Sequence, residues 1–303
     1  LLGRAELESG EPLFRMLETI REYALEKLHE SGELVPLRTA HCVYYAGLAV
    51  AAEPHLTGSH QAVWLAHLEH AHDNLRAALR WALEQGDGLS ALQLAGGLGK
   101  FWEVRGHWSE GRLWLGQALA ANTQPSPATE GAAGTQPWLA RTLWWAGALA
   151  WRQCDYEQAH QQLEQSLAIH RALGASDHLT DVLSTLGGVA FEQGRYADAQ
   201  VLYEECLAVR RAFGSRERIG DSLFCVGLVA IHQQAYPTAR RYLEESLALL
   251  RDAGYAYGSS FPLNSLGNLA NLQGDYQAAQ TCYDECLSIR RELGDKRGVA
   301  AVL

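Results

Sequence analysis

The 303-residue chain is 48% hydrophobic and 20% charged, a balance that supports a folded core and excludes wholesale disorder. Thirty-five acidic residues against 25 basic give a net charge of -10, which disfavours a grip on nucleic acid or on an anionic membrane. Six cysteines without a Cys-x-x-Cys pair exclude a disulfide framework and a zinc ribbon. No apolar run nears the roughly 18 residues of a membrane span, and no basic-then-apolar leader opens the chain, so a cytoplasmic location is expected.

In chain order, Leu7–Pro12 reads as a turn. Residues 12–29 carry apolar positions at Leu13, Met16, Leu17, Ile20, Tyr23, Ala24 and Leu28, which predicts an amphipathic helix or a short strand passing into one. Two more helices follow within 37–85. One runs through Val43, Tyr44, Leu48 and Ala51 and ends at Glu53-Pro54; the other runs through Trp64, Leu68, Leu75, Leu79 and Trp81.

From there a period of 40 dominates. Tyr156, Tyr196, Tyr236 and Tyr276 recur at that step, each followed by Ala159, Ala199, Ala239 or Ala279. Gly147, Gly187, Gly227 and Gly267 keep the same register, as do Leu167, Leu207, Leu247 and Leu287, and Gly174, Gly214, Gly254 and Gly294. Within 180–213, a stripe of Leu183, Leu186, Val189 and Ala190 is interrupted by Gly194-Arg195-Tyr196. A second stripe then follows through Ala199, Leu202, Tyr203, Cys206, Leu207 and Val209. That predicts helix, tight turn, helix, closed at Gly214 by a left-handed cap. The small residue at 147/187/227/267 lets paired helices approach, and each pair is too small to bury its own face, so the copies must stack.

These columns resemble the tetratricopeptide repeat, whose usual unit is about 34 residues. The resemblance implies an all-α chain, an α-solenoid of helix hairpins preceded by a helical linker. Copies are expected near 92–121, 140–174, 180–214, 220–254 and 260–294, with a truncated sixth from 300. The 48-residue step after the first copy, which carries Gly99, Trp108 and Leu115, is absorbed by a Pro/Gly/Thr/Ala-rich loop at Asn122–Pro137. Leu143, Leu183, Leu223 and Leu263 share a column with the last residue, Leu303, so the chain is expected to be part of a longer protein.

Phe14-Arg-Met-Leu-Glu-Thr-Ile-Arg-Glu-Tyr-Ala-Leu-Glu-Lys-Leu28 resembles the end of the winged-helix element that follows the nucleotide-binding module of bacterial STAND-class ATPases. Glu53–Gly58 and the helix through His72-Asp-Asn-Leu-Arg-Ala-Ala-Leu79 resemble the linker after it. The expected organisation is therefore 1–36 winged-helix tail, 37–90 helical linker and 91–303 repeats. The resemblance implies a non-enzymatic sensor that regulates an attached ATPase in signal transduction or transcription control. Its partners would be a protein, peptide or small effector and, intramolecularly, the upstream nucleotide-binding module. A stand-alone scaffold or co-chaperone is the alternative.

Gly96-Gly-Leu-Gly-Lys100-Phe101 imitates a phosphate loop. It lacks the first glycine, where Leu94 stands, and the hydroxyl, where Phe101 stands; close helix packing is expected instead. His67, His70 and His72, with His55 and His60 nearby, lack a His-Glu-x-x-His frame and read as a histidine-rich helix surface, so no metal or cofactor is expected. Cys206, Cys282 and Cys286 read as small buried hydrophobes. No constellation reads as an active site.

In the tetratricopeptide family the first helix of each pair lines a concave face. Carried over, that face holds Arg141, Trp144, Trp151 and Arg152 in the first full copy, and Asp181 and Phe191 in the next. Asp221, Phe224 and His232 follow in the third, and Phe261, Asn264, Asn268 and Asn271 in the fourth. The aromatics would anchor a partner or pack against the neighbouring repeat. The asparagines, at spacings of four and three, share one helix face and offer donors and acceptors to an extended peptide.

Overall fold

A computed structural model describes residues 2–6, 12–58, 60–122, 134–174 and 176–302. The chain forms two compact units, Leu1–Thr135 and Gln136–Leu303.

In the first unit β1 (Leu2–Glu6) pairs antiparallel with β2 (Pro12–Met16), Leu2 opposite Met16 and Glu6 opposite Pro12. The strand does pass into a helix, α1 (Glu18–Ser31), so a small hairpin precedes the helical array; residues 7–11 of the expected turn lie outside the described residues. Then come α2 (Leu34–Ala52), a 3-10 turn at Glu53–His55 containing Pro54, α3 (Gln61–Glu84), α4 (Gly88–Arg105) and α5 (Trp108–Asn122). Helix α4 is the centre of this unit. Leu92, Leu94, Ala95, Leu98, Phe101 and Trp102 are all buried, and Asp87 caps its start by accepting from the Ser90 amide at 3.1 Å. Its glycine run is a packing device: a Cβ on Gly97 would stand 2.7 Å from the Ala49 carbonyl oxygen of α2.

The second unit is a succession of antiparallel pairs. These are α6 (Thr135–Arg152) with α7 (Tyr156–Leu173), α8 (Asp177–Glu192) with α9 (Tyr196–Phe213), α10 (Arg216–His232) with α11 (Tyr236–Asp252), and α12 (Ala256–Leu272) with α13 (Tyr276–Glu292). A short α14 (Lys296–Val302) begins the next first helix. Helix α6 starts at Thr135, inside the expected Asn122–Pro137 loop; residues 123–133 of that loop lie outside the described residues. Proline is compatible with a helix's first turn, where no intrahelical donor is needed, so Pro137 does not delay the start.

Each pair closes in the same way. A Cβ on Gly187 would stand 2.6 Å from the Tyr203 ring, so only glycine admits that second helix. One polar contact repeats with the period as well. Ser166, Cys206, Ser246 and Cys286 each donate to a carbonyl oxygen of their own first helix, those of Ala140, Thr180, Gly220 and Ser260, at 2.8, 3.4, 2.7 and 3.2 Å. Cys206 and Cys286 thus stand in for serine, beyond filling space. Ser176, Ser215, Asp155 and Asp275 cap helix starts with their side-chain oxygens.

Gly214 departs from expectation. Its φ of -87° is extended, not left-handed. Glycine is required there because its amide approaches the Arg210 carbonyl oxygen at 2.6 Å, where a Cβ would be equally close to that oxygen. Its column mates Gly174, Gly254 and Gly294 do have positive φ, at 102°, 69° and 71°; within the tight turns Gly194 and Gly274 do as well, with Cys154 and Gln234 forced into the same conformation in the other two copies.

Candidate functional site: the first-helix face of the second unit

Residues of different exposed columns on α6, α8, α10 and α12 meet across neighbouring helices. The Trp144 indole N–H donates to Thr185 Oγ1 at 3.0 Å, the Phe191 and His232 rings meet edge-on at 4.8 Å, and Phe224 and Phe261 lie 5.8 Å apart. Trp151 lies over Gly188, where a Cβ would stand 2.8 Å from its ring. Trp144, Trp151, Phe191, Phe224 and Phe261 are consequently half-buried: each packs on the next repeat and keeps part of its ring in the open. Arg152 and His232 are exposed at the end of their helices, with the Arg152 guanidinium 5.4 Å from the Trp151 ring centre and His232 stacked 4.8 Å from Tyr196.

Beneath this face lies a charged cluster that the column reading did not foresee. Arg141 is only 8% exposed. Its guanidinium donates to His178 Nδ1 at 2.7 Å and lies 4.8 Å from the Trp144 ring centre. Burial brings it down to about 10, with Asp181 opposing that shift, so it remains a cation at neutral pH. Asp181, half-buried, accepts from Arg218 at 2.5 Å, and a second Arg218 nitrogen reaches Asp177 at 2.5 Å. Burial raises the Asp181 carboxyl, against the pull of Arg218, Arg141 and Arg210. Arg210, 8% exposed, donates to Ser222 Oγ at 2.9 Å and to the Arg218 carbonyl oxygen at 3.2 Å. Asp221, the neighbouring column member, is exposed.

Arg141 and Asp181 therefore brace the face from below, while Asp221 presents charge on top. The missed members, Arg210 and Arg218, arrive from the second helix and from the start of the following first helix. The clue lay in the 170/210/250/290 column, where His170, Arg210 and Arg290 interrupt an otherwise apolar stripe.

The far end is different. Asn268 is exposed and accepts from the Tyr283 hydroxyl at 2.7 Å, so its amide is already committed within its own repeat. Asn264, half-buried, and Asn271, exposed, make no side-chain hydrogen bond among the described residues. Phe261 closes this end, with the Arg290 guanidinium 5.4 Å from its ring centre. Partly open rings, a carboxylate on the surface and two uncommitted amides are groups that hold a ligand by contact and hydrogen bonding.

A family model described as tetratricopeptide repeat matches residues 138–212, 178–252 and 218–292, three overlapping windows in the 40-residue register. Curated relatives in Mycobacterium bovis and Mycobacterium tuberculosis, named as candidate HTH-type transcriptional regulators, are 42% identical over 110 residues. That stretch is 36% of this chain and 12% of each relative, so the matched region is a small part of their length. Among solved structures, BtubC from P. vanneervenii superposes with a TM-score of 0.60 at 18% identity, covering 76% of this chain and 91% of that one. A Rap protein complexed with competence and sporulation factor gives 0.59 at 12% identity, covering 88% and 80%. At these identities the likeness is one of fold.

Proposed function

The chain belongs to the tetratricopeptide-repeat family, and we propose that it is the ligand-binding regulatory region of a longer bacterial regulator. Its first-helix face takes an extended peptide or protein segment. Occupancy biases an attached effector, a STAND-type ATPase, through different affinities for its resting and active states. The upstream nucleotide-binding module would contact the first unit, in the cytoplasm. The mycobacterial relatives, named as regulators and far longer than the matched stretch, support this reading.

The observation that carries it is the pair Asn264 and Asn271, on one face of α12 that also bears the half-open ring of Phe261, packed against Phe224. Packing alone does not call for two uncommitted amides on that face, whereas an extended backbone needs both a donor and an acceptor.

Selection of binders from a random peptide library on the whole chain tests it. Selected peptides should lose ~10-fold or more in affinity to the Asn264→Ala/Asn271→Ala protein, the loss of two good hydrogen bonds, at unchanged melting temperature. Equal binding to both proteins would overturn the reading.

A further inference from the structure

In the first unit two short motifs face each other. Helix α3 carries Glu69-x-x-His72, an i, i+3 pair on one helix side, and His107 stands immediately before α5, whose first turn carries Glu110. Ligand-capable atoms of Glu69, His72 and His107 all lie within 4.8 Å of one another, and the two imidazole centres are 5.1 Å apart. His72 is 8% exposed. Its Nε2 stands 3.2 Å from Glu110 Oε1, yet in a direction that makes no hydrogen bond, which leaves a buried polar nitrogen aimed at the cluster without a partner. A buried nitrogen in that state is costly unless something else satisfies it.

We infer that Glu69, His72 and His107 form a binding site for a divalent transition-metal ion of the zinc class. Two imidazoles and one carboxylate are the donor set such ions prefer, with water completing four-coordination. The surroundings are already arranged around it. Arg76 holds Glu110 through both oxygens, at 2.6 and 2.7 Å, which keeps that carboxylate occupied beside His72. Arg105 Nε lies 3.1 Å from Oε2 of Glu69, and Oε1 of the same carboxylate lies 3.9 Å from His107 Nε2. Phe101 meets the His72 ring edge-on at 5.1 Å and closes the floor.

A metal with ligands at ~2.0–2.2 Å sets neighbouring donors roughly 3.3–3.6 Å apart. Closure therefore asks for roughly an ångström of movement, which the partly exposed Glu69 side chain can supply. The ion would staple α3 to the start of α5 across the intervening α4, stabilising the first unit.

Cobalt(II) titration of the chelator-stripped whole chain tests this. One equivalent should produce the visible d–d bands of a four-coordinate site, removed by one equivalent of zinc, and zinc should raise the melting temperature. His107→Ala and Glu69→Gln, both at partly open positions, should each weaken cobalt binding by ~10–100-fold while keeping the metal-free melting temperature. His55→Ala and His60→Ala should bind as the parent does. Absence of bands at micromolar cobalt, or a loss shared equally by the His55 and His60 variants, would overturn the assignment.

Discussion

Arg211 Nη2 lies 2.7 Å from Glu245 Oε1, joining the second helix of one repeat to the second helix of the next. The pair recurs one period earlier, Arg171 with Glu205 at 2.6 Å, and one period later, Arg251 with Glu285. In the first full copy the acidic position is Gln165, so the ladder starts there. The arginines are exposed and the glutamates half-buried at the surface, which limits each bridge to about 0.2–1 kcal/mol. Replacing Arg171, Arg211 and Arg251 together by alanine should lower the melting temperature by a few degrees in dilute buffer. The deficit should shrink in 1 M salt, where the Debye length is only ~3 Å. A deficit indifferent to salt would mean that the arginine stems, not their charges, matter.

The tight turns predict a gain. Gln234 has a φ of 61°, in the column where Gly194 and Gly274 sit at 73° and 80°. A side chain in that region costs energy that glycine avoids. Gln234→Gly should stabilise the chain by ~0.5–1 kcal/mol, read as a rise in melting temperature. A fall would show that the Gln234 side chain contributes more than its backbone strain removes.

The stacking of hairpins was legible because glycine, tyrosine and alanine hold fixed columns, and a helix pair leaves little freedom once those are set. What stayed hidden depends on residues that meet only after stacking. Arg141, Asp181, Arg210 and Arg218 come from four helices and break the period, since the third copy has Leu250 where the second has Arg210. His72 lies in α3 and His107 just before α5, and no helical spacing links them. Gly214 kept its place in the sequence column for a reason other than φ: a backbone oxygen is too near for a side chain.

Acid should weaken the second unit in a defined window. His170 is 4% exposed, and burial, then His178 and Arg141, bring it from its ordinary value near 6.5 to about 4. Between pH ~6.5 and ~4 the unfolded chain binds a proton that the folded chain refuses, so stability falls as pH drops through that interval and is flat outside it. The contribution is of order 2–3 kcal/mol. His170→Leu, borrowing the residue of the Leu250 column position, should lose that share of the acid sensitivity between pH 7.5 and 4.5. The raised Asp181 carboxyl acts in the opposite sense, but it is present in both proteins and cancels in the comparison. Identical pH profiles would contradict the role given to His170.

Aromatics and amides of the same face should part company when substituted. Trp144→Ala removes the bond to Thr185 and the stacked Arg141, so it should cost ~2–4 kcal/mol of stability. Asn264→Ala and Asn271→Ala should leave melting unchanged within about a degree, since neither side-chain amide is hydrogen-bonded among the described residues. A large loss from the asparagine variants would place them in the scaffold instead.

Hydrogen exchange on the whole chain, with and without a library-selected peptide, locates the ligand itself. If the first-helix face captures it, added protection should fall on α12 around Asn264–Asn271 and extend to α10, with α11 and α13 unchanged. Protection confined to the second helices, or to the first unit, would contradict capture on this face.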